Sequence, residues 1–401
     1  MQTMQIVFIG PFGLQPKSTM KDRALPLAKA LAARGHRVTL LIPPWDDPER
    51  AGQAWQEEGV QVVNIPLPPQ LPLLFHMLLT RTLVAQALAL QPQIIHCFKP
   101  KAYAGLSHLA LWWLRRRRGL PVRLVVDTDD WEQAWNDLAP YSRPQKKLFT
   151  WQEQWGLRHA DAITVASRAL EDLATTQLGV DPVHVFYMPN GCRSEVIADP
   201  PAATRLGLRQ QWRLGEAPTI LLYSRFLEFR LERIVKLVKL VAAQLPEARW
   251  LMVGSGLQGE DKTLAAQLAR AGLADYVRFT GWIPIEQAPA YFQTADVGLH
   301  PYDDTLLNRT KCSVKLIDLL AAGLPVVADA VGQNCEYIQP GVSGILTPPE
   351  DDAALARALV TLLQAPDQRI RLGQAARQHI QNNFNWPYLA QIVENAYAIS
   401  T

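Results

Sequence analysis

The sequence is poor in cysteine, with Cys97, Cys192, Cys312 and Cys335 spread over 401 residues and no CxxC pair among them. This excludes a disulfide framework or a zinc ribbon and reads as free thiols in a reducing compartment. No apolar run approaches the roughly 20 residues that a membrane span needs. The opening MQTMQIVFIG has no basic leader and turns into a strand at once, so no signal peptide is expected. The reading is a cytoplasmic protein, soluble or peripheral at the inner face of the membrane. The formal net charge of +3 gives no global attraction to nucleic acid, so any basic partner surface must be local. Repeats and low-complexity tracts are also missing.

Apolar residues make up 48% of the chain and charged residues 19%, which specifies a folded globular protein. A chain of this length exceeds one ordinary core, and two domains of roughly 200 residues each are expected. Strand and helix patterns alternate throughout, the signature of doubly wound parallel sheets in an α/β protein. In the first half, the apolar run Gln5 to Ile9 predicts a buried strand, followed by the loop Gly10 to Lys17, a helix through Leu31 and a strand Val38 to Ile42. The loop sits at the carboxyl end of its strand, where open α/β sheets bind ligands, but its glycines do not match GxGxxG.

Further strands are expected at 60–65, 94–97, 123–127, 162–166 and 183–188. At the end of a strand stand the four carboxylates Asp127, Asp129, Asp130 and Glu132, with Trp131 among them. Carboxylates so crowded raise at least one pKa and suit a base, a sugar-hydroxyl acceptor or a metal ligand; a solvated acidic loop capping the next helix is the plain alternative. His96 ends its own strand and reads as either a structural or a working histidine. Leu109 to Arg118, LALWWLRRRR, joins two tryptophans to four arginines. That pattern fits a helix lying on an anionic membrane surface, and equally a buried helix with a solvated basic end.

The stretch from Pro200-Pro201 to Gly215 is weakly hydrophobic and reads as the domain boundary. The pattern restarts with a strand 220–223, the segment Ser224 to Arg230, and a helix 231–245 with apolar Ile234, Leu237, Val238 and Val241. Arg225 and Arg230 flank this strand-to-helix loop and can clamp a diphosphate from two directions. Strand 250–253 leads to Gly254, and strand 297–300 leads toward Asn308 to Glu336. There, Ser313 is a plausible N-cap for a helix 313–322, and Lys311 and Lys315 flank a helix start whose free N–H groups favour an anion.

The ordered set RGHRV (34–38), HADAITVASRAL (159–170), PNG (189–191), YSRFLEFR (223–230), VGSG (253–256), FTGW (279–282), KLIDLLAAGLPVVADAVGQNCEYI (315–338) and GVSGIL (341–346) resembles the GT-B glycosyltransferases, family 4, over nearly the whole chain. The resemblance implies two Rossmann-like doubly wound domains facing across a cleft: 1–200 for the acceptor, 201–382 for the nucleotide-sugar, and 383–401 as a helix crossing back to the first. It implies a retaining transferase that takes a nucleoside-diphosphate sugar and a glycan, lipid-linked or small-molecule acceptor and needs no metal or other cofactor. A non-catalytic relative that binds nucleotide-sugar or membrane, and a GT-B sugar-nucleotide epimerase, are the other readings.

Carried over residue by residue, the donor falls to Arg225, Arg230, Gly254, Thr310, Lys311, Ser313, Lys315 and Asp318. The acceptor falls to Gly13, Lys17, His96 and Trp131, and catalysis to Asp129 and Asp130. The chain departs from the family in three places. Thr310 and Asp318 stand where two glutamates are usual, so Thr310 offers the donor sugar no carboxylate. Gly10-Pro11-Phe12-Gly13 replaces a Gly-Gly loop. Asp129 stands where a histidine is usual, leaving acid/base work and the binding of a sugar hydroxyl both open to it.

Overall fold

The computed structural model describes residues 3–15, 19–71, 74–138 and 141–399, with the side chains of 137 and 138 left aside. The chain forms two compact units. Unit 1 contains Met1–Asn190, Thr310–Cys312 and Trp386–Thr401; unit 2 contains Gly191–Arg309 and Ser313–Asn385.

Unit 1 is built on strands β1 (Gln5–Ile9), β2 (Arg37–Ile42), β3 (Ala54–Glu57), β4 (Val60–Asn64), β5 (Ile94–Phe98), β6 (Arg123–Thr128), β7 (Ala162–Val165) and β8 (Val185–Tyr187). Their order is β3-β4-β2-β1-β5-β6-β7-β8. All neighbours are parallel except β3, which pairs antiparallel with β4. A wholly parallel sheet was expected, and β3 corrects this. Glu58 and Gly59 both take positive φ, 46° and 83°, as a two-residue hairpin turn requires, and two residues cannot carry a parallel crossover.

The strands that read as continuous apolar runs are buried on both faces; every residue of β5, for example, is buried. The helix Trp386–Ala398 completes this core with Leu389, Ala390, Val393 and Ala396, all wholly buried. Each large aliphatic so placed contributes about 2 kcal/mol. Its Glu394 forks onto Arg34, with Nη2 to Oε2 at 2.6 Å, and takes a bond from His36 Nε2 at 3.0 Å. Arg123 Nη1 donates to the Tyr397 carbonyl at 2.8 Å.

Unit 2 contains β9 (Thr219–Tyr223), β10 (Arg249–Val253), β11 (Val277–Gly281), β12 (Val297–His300), β13 (Val326–Asp329) and β14 (Ile345–Thr347), ordered β11-β10-β9-β12-β13-β14 and parallel throughout. The helix Leu231–Gln244 lays Ile234, Leu237, Val238 and Val241 on this sheet beside Leu355 and Leu359 of the helix Asp352–Gln364. The units part at Asn190–Gly191, ahead of the Pro200-Pro201 pair read as the boundary. Two contacts explain the difference: Cys192 N donates to the Phe384 carbonyl at 2.7 Å, and Arg193 pairs with Asp318, both inside unit 2. The stretch after the prolines folds into a polar helix, Ala202–Gln211.

Candidate functional site

In unit 2 the sheet begins at β9 and then grows on both sides of it, so the strand order reverses between β9 and β12. The crevice beyond the carboxyl ends at such a point is where open α/β sheets take ligands. Here it is a small pocket bordered by Tyr223, Ser224, His300, Pro301, Tyr302 and Lys315. Lys315 lies in the first turn of the helix Val314–Ala321, with Nζ 5.7 Å from the Tyr223 ring centre. Ser313 caps that helix, its Oγ accepting from Leu316 N at 3.3 Å, so the start expected from sequence is in place.

The loop after Tyr223 is folded around a buried carboxylate that sequence reading passed over. Glu228 Oε2 accepts from Ser224 Oγ at 3.1 Å and from Leu227 N at 3.2 Å, while Ser224 Oγ accepts from Phe226 N at 2.7 Å. Phe226 sits at φ 61°, buried. This tight turn leaves Arg225 exposed on its crest, with no hydrogen bond or ion pair among the described residues. Arg230 is different: it starts the next helix with its N and Nε on Asp303 Oδ2 (2.9 and 3.2 Å) and its Nη2 3.4 Å from Glu350. Part of its charge is therefore already met. Asp303 also binds the buried Arg233, which holds Asp329 and Asp352 as well.

Gly254, expected to face a donor, is required by its own backbone: at φ 123° an added Cβ would collide with the Ser224 carbonyl oxygen. Asp318 is wholly buried and clasped by Arg193, Nε to Oδ1 at 3.1 Å and Nη2 to Oδ2. Both of its carboxylate oxygens are thus engaged by an arginine of its own unit. Thr310 and Lys311 group with unit 1. Thr310 is buried and its carbonyl accepts from Ser167 Oγ at 2.8 Å; Lys311 Nζ lies 5.7 Å from the Trp135 ring centre.

Unit 1 reverses its strand order between β1 and β5, which brings the Gly10 to Gly13 loop and Lys99 to the carboxyl edge. Gly10 packs on the Met20 side chain, whereas a Cβ at Gly13 would meet only ordinary contacts. Lys17 lies outside the described residues. Lys99 is buried at φ 52°, with Nζ at 3.0 Å from Asp129, 3.0 Å from Asp130 and 3.2 Å from Glu132; Lys101 also pairs with Glu132. Burial opposes charge on Lys99, but the three carboxylates outweigh it and hold its pKa well above the usual lysine range. Burial raises Asp130, and burial together with the Glu132 charge raises Glu153 well above the carboxylate norm. The acidic loop is therefore built around a lysine. Among the described residues no group of three His, Cys, Asp or Glu side chains forms a metal site.

His96 is wholly buried, and burial, then the Arg23 charge, keeps it far below its usual pKa. Thr164 gives its one proton to Asp127 Oδ2 at 2.6 Å, so His96 Nε2 donates to Thr164 Oγ1 at 3.2 Å and Nδ1 accepts from Tyr397 Oη at 2.9 Å. Asp127 in turn is forked by Arg23, Nε to Oδ1 at 2.8 Å and Nη2 to Oδ2 at 2.7 Å. His96 belongs to this core network, and Trp131, at 3% exposure, is buried as well. Neither presents a surface to an acceptor.

The basic helix is Ala102–Arg118, ended by Gly119 in the left-handed region. Arg115 pairs with Asp161 and donates to the Val122 carbonyl, so it is structural. Arg116 and Arg117 lie 4.2 and 4.5 Å over the Trp112 and Trp113 rings, and Trp113 is 49% exposed. No helix among the described residues is long and apolar enough to cross a membrane.

Residues 18–191 match the family model described as "Glycosyl transferase 4-like domain", and residues 217–365 the one described as "Glycosyl transferases group 1". The GDP-mannose-dependent alpha-(1-6)-phosphatidylinositol monomannoside mannosyltransferase of Mycobacterium tuberculosis is 25% identical over 91% of this chain and 90% of its own. The 2-deoxystreptamine glucosyltransferase of Streptomyces kanamyceticus is 27% identical over 62% of each. Among solved structures, sucrose-phosphate synthase from Thermosynechococcus elongatus has a TM-score of 0.74 at 23% identity, covering 98% of each chain. Anabaena HepE in complex with UDP and glucose has a TM-score of 0.72 at 19% identity, covering 99% of this chain and 100% of its own. At these identities the structures speak to the fold, which is the two-domain Rossmann-like GT-B fold.

Proposed function

The chain belongs to the GT-B glycosyltransferases of family 4, and we propose that it is a retaining transferase moving a sugar from a nucleoside-diphosphate sugar to a glycan, lipid-linked or small-molecule acceptor. The observation that carries this reading is Arg225, an exposed arginine with no partner among the described residues, on the loop that borders the pocket at the β9/β12 reversal. A cation held out by a rigid turn costs little to reorganise and is worth most when negative charge develops. As the glycosidic bond lengthens, charge accumulates on the leaving diphosphate. Arg225 and Lys315 meet it, with the N–H groups at the start of the helix Val314–Ala321 adding to their field.

In this reading Arg230 contributes less than Arg225 because Asp303 and Glu350 already hold it. Asp318 acts by positioning Arg193. The HepE complex with UDP and glucose and the mannosyltransferase relative support a nucleotide-sugar donor of this kind. The exposed Trp113 with Arg116 to Arg118 supports peripheral attachment to an anionic membrane.

A second reading, a relative that binds without turnover, is favoured by the engagement of Asp318 and Arg230 inside the protein. Release of nucleoside diphosphate from a panel of UDP-, GDP- and ADP-sugars decides between them. Turnover of one donor supports the transferase; donor binding without release supports the second reading.

A further inference from the structure

The turn that holds out Arg225 is strained. Phe226, next to it, is a bulky residue in the left-handed region at φ 61°, and such a backbone persists only where its surroundings enforce it. The Phe226 ring is buried beside Phe229 and Phe279, and its N–H donates to Ser224 Oγ at 2.7 Å. Ser224 Oγ in turn donates to Glu228 Oε2 at 3.1 Å, and the same oxygen accepts from Leu227 N at 3.2 Å. One carboxylate oxygen therefore closes the turn from both sides of Arg225, through Ser224 ahead of it and Leu227 behind it.

The main chain of Glu228 has a second task. Its carbonyl accepts from Asp303 N at 3.0 Å and from Asn308 Nδ2 at 2.7 Å, and Asn308 Nδ2 also donates to the Asp303 carbonyl at 2.8 Å. Glu228 thus joins the loops that follow β9 and β12, the two strands between which the order reverses, and it lines the pocket there together with Lys315. A carboxylate beside an anion pocket repels the anion, so its place there calls for a compensating role.

We propose that Glu228 is a positioning residue: its side chain fixes the turn that presents Arg225 to the diphosphate of a nucleotide, while its carbonyl holds the loop after β12. A turn set before the nucleotide arrives removes the backbone part of the ordering cost of binding. This role rests on the reading of Arg225 as the diphosphate cation and not on turnover.

Glu228→Ala deletes the carboxylate and leaves the carbonyl, so it frees the turn without releasing the loop after β12. Calorimetric titration with UDP, GDP and ADP is run on the full-length wild type, Glu228→Ala, Arg225→Ala and the double variant, and a thermal melt checks that each is folded. For the nucleotide that wild type prefers, Glu228→Ala is expected to bind about tenfold weaker, and the double variant no weaker than Arg225→Ala alone. Glu228→Gln keeps an oxygen that accepts from Ser224 and Leu227 and loses the charge that repels a phosphate, so its affinity is expected to equal or exceed that of wild type. If Glu228→Ala does not fold, Ser224→Ala, which cuts the link from Glu228 to Phe226, takes its place in the cycle with the same expectations.

A purely structural Glu228 lowers the melting temperature and changes affinity equally with and without Arg225. Unchanged affinity in folded Glu228→Ala, equal losses in the two backgrounds, or Glu228→Gln as weak as Glu228→Ala overturns the positioning role and leaves Arg225 as the nucleotide cation. Arg225→Ala binding as tightly as wild type, or wild type binding none of the three nucleotides, overturns both. Release of nucleoside diphosphate from the donor panel is followed on the same samples. Coupled losses of affinity without turnover support the positioning role and sink the transferase reading alone.

Discussion

Arg193 and Asp318 form a buried two-point ion pair, Nε to Oδ1 at 3.1 Å and Nη2 to Oδ2, between the loop after Asn190 and the middle of the helix Val314–Ala321. Removing one partner of such a pair leaves the other charge desolvated, which costs about 3 kcal/mol or more. Asp318→Asn is therefore expected to lower the melting temperature of the whole protein. A variant that melts normally yet loses donor affinity would instead make Asp318 a direct donor contact.

Gly254→Ala is expected to destabilise by about 3 kcal/mol, the range of a forced overpacking, since its Cβ would strike the Ser224 carbonyl at a φ of 123°. Denaturant unfolding checks this. A stable variant with weakened donor binding would return Gly254 to the donor site.

Two histidines of unit 1 make the fold sensitive to acid. His96 is held far below the usual 6.5 by burial and Arg23, and His108 is pushed down to about 3 by burial. Both are neutral when folded and take a proton when unfolded. Their stability is full above pH 6.5 and falls as pH drops below it, by about 1.4 kcal/mol per pH unit for each. His108 has neither nitrogen bonded among the described residues, so His108→Leu is expected to match or exceed the wild type at neutral pH and to shed part of the acid loss. Melting curves between pH 7.5 and 5 with an unchanged slope in that variant would contradict the assignment.

The membrane proposal turns on Arg116, Arg117 and Arg118, because Arg115 is held by Asp161. Replacing the three with serine is expected to weaken binding to anionic vesicles by about 1 kcal/mol per arginine. Unchanged sedimentation with such vesicles removes the membrane reading.

The sheets were legible because buried parallel strands are continuous apolar runs, and Thr219–Tyr223 and Ile94–Phe98 are instances. The strand Ala54–Glu57 was missed because half its residues are exposed and no such run marks it; the Glu58-Gly59 turn sets its pairing. The helix Ala202–Gln211 was missed because almost all of it is exposed, so no buried apolar face marks it in the sequence. At the site, sequence named most of the cations and carboxylates but not who meets whom. Asp318 and Arg193 are 125 residues apart, and Lys99 and Asp130 are 31 apart. Periodicity reports which faces are buried; it carries no record of which charges the fold brings together.

Titration of wild type and Arg225→Ala with UDP, GDP and ADP, alongside their melting curves, tests the central claim most directly. Because Arg225 is exposed and has no partner among the described residues, its loss is expected to leave the melting temperature unchanged while weakening the preferred nucleotide roughly tenfold to a hundredfold. Nucleotide binding equal to wild type in Arg225→Ala would contradict the account.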